Sequence, residues 1–221
     1  MCKTLLLLFS LLLSATAPRA SADAAAPVEG SDYVVIADGQ PYAPLDGKIE
    51  VVEVFGYWCP HCAEFQPELS AWRRGLPPGV RFAYVPAVFT AGDGFARGFF
   101  AAEHFGALAR THDAMFAAIH AQGLLPLNAS VPELASYYGQ QGLDAAKVQA
   151  YMLSPAVDAK LEHARQFALR SGVEGAPTLV INGRYRITAR NHEAGLRTAS
   201  QLIAQLRAQQ PAHPSRPESN R

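Results

Sequence analysis

Cysteine is scarce in this chain, at three residues in 221. So few thiols exclude a scaffold stapled by several disulfides. They also leave a C-x-x-C zinc site short of the second cysteine pair it usually needs. An excess of charge of one sign is missing too, since 19 basic residues face 19 acidic ones. That balance argues against nucleic acid or an anionic membrane as the main partner. Beyond the first residues no long apolar run follows and no internal repeat is visible, so a soluble protein of one domain, or one domain carrying an insertion, is expected.

The first residues have the layout of an export signal. Lys3 supplies a positive start, Leu5 to Leu13 an apolar core too short to span a bilayer, and Ala20-Ser21-Ala22 a small-residue cleavage site. Cys2 precedes the apolar core, where it is poorly placed for a lipid anchor. Cleavage after Ala22 removes Lys3, Arg19 and no acid, leaving 17 basic against 19 acidic residues, a net charge of about −2. It also leaves Cys59 and Cys62 as the remaining cysteines. An exported protein whose thiols form one C-x-x-C pair holds that pair for chemistry, in an oxidising compartment.

Cys59-Pro60-His61-Cys62 follows the apolar run Ile49 to Phe55, which reads as a buried strand, and opens a helix expected over Pro60 to Arg74. Proline is tolerated in that first turn. The free N–H groups of a helix start, with its macrodipole, favour thiolate over thiol at the first sulfur. Cys62 lies one turn further in, where it can attack a mixed disulfide formed at Cys59. The plainer alternatives are a structural disulfide or half a zinc site. Pro77-Pro78-Gly79 breaks the chain before a strand expected at Val80 to Pro86, completing a β-α-β unit.

From Asp93 to about Arg170 the sequence is alanine-rich and helix-periodic, with breaks expected near Thr111, Gly123 to Ser130, Gly139 to Asp144 and Ser154-Pro155. Four or five helices are expected, the last over Pro155 to Arg170. Gly175-Ala176-Pro177 then precedes a strand, Thr178 to Ile181. Asn182-Gly183 is a strong hairpin signal leading into Arg184 to Thr188. A helix from His192 to Ala208 closes the domain, and one further β-like run, Tyr33 to Ile36, lies near the start.

A β-α-β unit with C-P-H-C at the helix start, a helical insertion and G-A-P-T before a hairpin resembles the thioredoxin fold. More closely, it resembles the DsbA family of periplasmic thiol oxidases, over about residues 33 to 208. The implied class is α/β, a thioredoxin-like fold with an inserted all-helical subdomain. The division expected is a removed signal peptide at 1–22, a first thioredoxin-like part at 23–92 and a helical insertion at 93–165. A second thioredoxin-like part follows at 166–208, then a disordered tail at 209–221.

The resemblance assigns roles residue by residue. It makes Cys59 the nucleophile, with His61 beside it as a positive neighbour that stabilises the thiolate, where otherwise His61 reads as an exposed histidine at a helix start. It makes the Ala176-Pro177 bond cis and places it against the disulfide, so that Ala176 lends backbone groups to an extended substrate. Ala176 is smaller than the Val or Thr that relatives often carry there. Glu53 interrupts an apolar strand, where a carboxylate is costly unless paired, wetted or protonated. The family places such an acid under the disulfide, passing protons to and from Cys62, whereas from the residues alone it could be a strand-edge acid facing solvent. Relatives sometimes keep a lysine nearby, but beyond residue 22 the lysines are Lys48, Lys147 and Lys160, none of them in the strand Val80 to Pro86.

Tyr57 and Trp58 abut Cys59 and could form a docking surface or be core aromatics. His104, His112 and His120 recur every eight residues, which matches neither a helical stripe nor an i, i+4 ligand pair, and read as ordinary polar positions. No metal and no dissociable cofactor is expected, the redox group being the Cys59–Cys62 disulfide. The implied protein is a monomeric periplasmic disulfide oxidase acting on unfolded exported proteins with free thiols, reoxidised by a quinone-linked membrane oxidase of the DsbB type. The rivals are a reductase or isomerase of the same fold, and a thiol-based metal-binding protein using Cys59, Cys62 and His61.

Overall fold

The computed structural model describes residues 25–88, 90 and 92–210. The expected signal peptide at 1–22 and the tail from residue 211 lie outside the described residues. Five strands form one sheet: β1 (Tyr33–Val35), β2 (Ile49–Phe55), β3 (Val80–Pro86), β4 (Thr178–Ile181) and β5 (Tyr185–Ile187), in the order β1-β5-β4-β2-β3. β2 runs parallel to β3 and antiparallel to β4. A strand paired on both edges and covered on both faces needs apolar side chains on both. β2 meets that demand, with all seven residues buried.

Two glutamates interrupt β2, and because side chains alternate along a strand they fall on opposite faces. Glu50 is satisfied: its carboxylate accepts from the backbone N–H of Tyr42 at 2.7 Å and of Ala43 at 3.1 Å, and from Arg81 Nη2 at 2.6 Å. Its own N–H donates to Asn182 Oδ1 at 2.7 Å, tying the hairpin to the sheet centre. Asn182 and Gly183 have φ of 51° and 62°, paired left-handed conformations at the centre of the tight turn that the Arg184 N–H closes on the Ile181 carbonyl at 2.9 Å. Glu53 is the exception, described with the active site below.

Among the described residues seven α-helices surround the sheet. α1 (Pro60–Arg74) starts at Cys59 and continues through Pro67, which leaves the Ala63 carbonyl without its helical donor. α2 (Gly94–His104) buries Phe95, Phe99 and Phe100, each contributing roughly 1.5–3 kcal/mol relative to exposure. α3 (Leu108–Phe116) runs into a π-helical segment, Ala117–Ala121. α4 (Val131–Gln140), α5 (Ala145–Met152) and α6 (Pro155–Arg170) complete the helical block, and α7 (His192–Gln209) follows the hairpin. α2 packs against α3, α4, α5 and α6, while α7 packs on β2, β4, β5 and α1.

One expected break is wrong. Thr111 lies within α3, where its backbone N–H donates to the Ala107 carbonyl at 3.1 Å and its hydroxyl to the same carbonyl at 3.0 Å. The chain turns earlier, at Gly106, whose φ is 64°. The helical block starts at Asp93, the N-cap of α2. At its other end α6 is continuous across residue 165 and packs on both α2 and β3, so a boundary there divides one helix. Among the described residues no helix is long and apolar enough to cross a membrane.

Candidate active site

Cys59 is the N-cap of α1, with extended backbone at φ −85° and ψ 116°. Its N–H donates to the Gly56 carbonyl at 3.0 Å, closing the turn that carries the chain from β2 into the helix. Both cysteines are present as free thiols. The Cys59 Sγ donates to the carbonyl of Ala176 at 3.2 Å, and the Ala176–Pro177 peptide bond is cis. The loop before β4 therefore lies directly over the first sulfur.

Cys62, one turn along, has no exposed surface. Burial pushes its thiol far up, with the nearby Glu53 carboxyl acting in the same direction. The two sulfurs are thus unlike. Cys59 is itself buried, at 4% exposure, but it lies against the Ala176 carbonyl, and Ala176 lines a groove of about 270 Å³ together with His61, Phe65 and Pro177.

Glu53 is fully buried on the central strand, which excludes a strand-edge acid facing solvent. Neither carboxylate oxygen has a hydrogen-bond partner among the described residues. Burial raises its pKa to about 8, against a smaller opposing pull from the Arg73 guanidinium. At neutral pH this group therefore carries its proton. Where a lysine might have stood, β3 presents Tyr84 in register with Glu53, and the cation comes instead from α1. Arg73 lies over the rings of Phe82 and Tyr84 at 5.6 and 5.2 Å. Reading the sequence by strand missed it. Arg73 is eleven residues after Cys62, just over three full turns, so both occupy one helix face.

A buried polar cluster adjoins Tyr84. Gln66 Nε2 lies 2.8 Å from Asp113 Oδ1, 2.9 Å from the Tyr84 hydroxyl and 3.1 Å from Ser70 Oγ. His112 is buried, its ring centroid 3.9 Å from that of Tyr84 and its Nδ1 2.8 Å from the Tyr57 hydroxyl. Burial holds its pKa down at about 3, so it is neutral at physiological pH. His120, on the π-helical segment, places Nε2 2.7 Å from the Tyr57 carbonyl. His104 stacks on Tyr151 at 3.9 Å. His112 and His120 read as ordinary polar positions, but both hydrogen-bond Tyr57, and their eight-residue spacing gives no hint of it because that partner lies on another segment.

These contacts decide between the two readings that the sequence leaves open for Tyr57. Tyr57 is not a docking aromatic: it is 2% exposed, packed edge-on against Phe55 and Phe116 with ring centroids 5.0 Å away in each case. Its hydroxyl has a buried partner in His112, so the core accommodates the whole side chain. Trp58 is half-buried, and its indole hydrogen-bonds the Asp93 carboxylate that caps α2 by accepting from Ala96 N–H at 3.0 Å. Asp93→Ala is expected to cost about 1 kcal/mol of stability. It should also shift Trp58 fluorescence in a Trp72→Phe background, and an unchanged denaturation midpoint and emission would refute that coupling.

His61 is exposed, its Nδ1 3.3 Å from Glu64 Oε2. Pro60 is likewise exposed at the helix start. Cys59, Cys62, Glu53, His61, Ala176 and Pro177, spread over more than 120 positions of sequence, thus converge around one helix N-terminus.

Comparison with known proteins agrees with this geometry. Residues 93–199 match the DSBA-like thioredoxin domain. The thiol:disulfide interchange protein DsbA of Pseudomonas syringae pv. tomato is 34% identical over 208 residues, spanning 92% of this chain and 96% of that protein. The DsbA of Pseudomonas aeruginosa strain PAO1 is 36% identical over 184 residues, spanning 81% and 85%. The crystal structure of the oxidoreductase DsbA from Xylella fastidiosa superposes with a TM-score of 0.80 at 46% identity, covering 82% of this chain and 98% of that one. With a C-P-H-C pair at a helix start beneath a cis-proline loop, and relatives that match nearly end to end, the chain belongs to the DsbA family of thiol:disulfide oxidoreductases.

Proposed function

We propose that this protein is a periplasmic disulfide oxidase that donates the Cys59–Cys62 disulfide to thiols of newly exported, unfolded proteins. A substrate thiolate attacks Cys59 Sγ, and the Cys59–Cys62 bond breaks as the substrate–Cys59 bond forms. The departing electron pair goes to Cys62 Sγ, which takes a proton from Glu53. A second substrate thiolate then attacks the substrate sulfur of the mixed disulfide and releases Cys59 as thiolate. The substrate dithiol leaves as a disulfide, and its two electrons remain on the reduced pair. The inequality of the two sulfurs carries this reading: Cys59 caps α1 against the Ala176 carbonyl that lines the groove, whereas Cys62 has no exposed surface and its thiol is held up by burial and by the nearby Glu53 carboxyl.

The Ala176 carbonyl adds support. It accepts from the Cys59 thiol in the dithiol state. An oxidised Cys59 has no such hydrogen, so the carbonyl is then free to receive a backbone N–H of an extended substrate. The protein acts as a monomer without a dissociable cofactor and is reoxidised by a quinone-linked membrane oxidase of the DsbB type. The test is to incubate the oxidised protein with a reduced, unfolded protein carrying two cysteines and to measure its equilibrium with glutathione. Stoichiometric oxidation and a potential well above thioredoxin's are expected. A potential as low as thioredoxin's would turn the assignment towards a reductase. In this reading His61 stabilises the Cys59 thiolate by its positive charge. His61→Ser should therefore shift the glutathione equilibrium several-fold towards a weaker oxidant, and an unchanged equilibrium would remove His61 from the mechanism.

A further inference from the structure

The groove beside Cys59 has an asymmetric lining. Its floor is apolar, from Phe65, Pro177, Leu179 and Ile187, while its charged or titratable lining residues are His61, Arg190 and His192, with no carboxylate among them. Nearby acids are directed elsewhere. Glu193 faces Arg197 at 3.6 Å, and Glu64 lies against His61 at 3.3 Å. Other polar lining groups are also engaged: Asn191 Oδ1 accepts from Ala194 N–H at 2.9 Å, Thr178 Oγ1 donates to the Gly175 carbonyl at 2.8 Å, and the His192 ring packs on Phe65 with centroids 4.5 Å apart. Arg190 differs. It is exposed at the groove and has no hydrogen bond or ion pair among the described residues.

We propose that this groove selects extended peptide segments bearing an acidic side chain close to the reacting cysteine, and that Arg190 is the specificity-determining residue that reads it. A guanidinium presents a rigid fork of donors suited to a carboxylate. Here it lines the same groove as Phe65, Pro177, Leu179 and Ile187, apolar side chains that would hold the neighbouring residues of the same peptide. The inference rests on the proposed oxidase function and adds the kind of substrate segment preferred. Selection acts before the chemistry, through capture of the segment that brings the thiolate to Cys59.

The test uses the oxidised full-length protein and two dithiol peptides that differ by one residue, Glu or Lys, next to the first cysteine. At low ionic strength the Glu peptide should have the higher kcat/KM by about fivefold, the scale of an exposed ion pair, and the difference should shrink in high salt. Arg190→Glu should reverse the order. Arg110→Glu makes the same change of net charge at an exposed position of α3 and should leave the order as it is. Equal kcat/KM for the two peptides, or the same shift from Arg110→Glu as from Arg190→Glu, would overturn the inference while leaving the oxidase reading intact. Failure to oxidise either peptide would overturn both.

Discussion

Glu53→Gln is expected to stabilise the protein at pH 7 by on the order of 3 kcal/mol, although it removes a group in the active site. The reason is the buried, unpartnered carboxyl whose pKa stands at about 8. In the unfolded chain this acid loses its proton near the ordinary value of 4.5, whereas the native state keeps it to about 8. Between those values the unfolded chain binds fewer protons, so the wild type loses stability as pH rises. Glutamine does not titrate. The gain of the variant should therefore be near zero at pH 4, grow through neutrality and level off above about pH 8, where both states are ionised. A pH-independent difference between the two proteins would refute it.

His112 titrates with the opposite sign. Its native pKa of about 3 lies below the ordinary 6.5, so stability is lost as pH falls below 6.5. Over the shared window of 4.5 to 6.5 the two slopes cancel in the wild type. Glu53→Gln should unmask the His112 slope there, giving a stability that rises with pH. The same substitution removes the proposed proton donor to Cys62, so oxidation of a dithiol peptide should slow by about 10²-fold. Greater stability with slower turnover in one variant separates a functional carboxyl from a structural one.

How far the sequence reveals such features depends on the distance over which each is determined. β2, α1, β3, α6 and β4 follow local signals, such as a continuous apolar run, a proline in a first turn or a Pro-Pro-Gly break, and these hold whatever the rest of the chain does. Thr111 shows the limit, because a β-branched residue reads as a break although α3 carries it, in a helix that packs against α2. The cysteines, His61 and the cis-proline loop were legible because a motif and a family pattern carried them together. The cluster behind them was not. Gln66, Tyr84, His112 and Asp113 meet when α3 closes on α1 and β3, and no spacing within any one segment encodes that approach. Tyr57 was ambiguous for the same reason, since its inward direction is set by His112, fifty-five positions away.

The other large effect concerns the two sulfurs. With a disulfide-bonded peptide as the attacked partner, Cys62→Ser should form a mixed disulfide through Cys59 that persists, because the second thiol that would resolve it is gone. Cys59→Ser, which keeps the other thiol, should react at least about 10³ times more slowly, since thiolate is the nucleophile and accessibility sets its reach. The chain gives both reasons. Cys59 sits at the free N–H groups of α1, 4% exposed and against the Ala176 carbonyl that lines the groove, whereas Cys62 has no exposed surface and burial holds its thiol far above the ordinary range. Mass spectrometry of acid-quenched mixtures distinguishes the adducts. Comparable adduct formation in both variants would show that the seal over Cys62 opens in solution, and the assignment of Cys59 as the sole attacking and attacked sulfur would fall. If neither variant forms an adduct, the groove does not admit a peptide to Cys59. If the asymmetry holds, it also explains the placement of Glu53: a sulfur that substrate cannot reach must exchange its proton from within the protein, and the buried carboxyl is the group positioned to supply it.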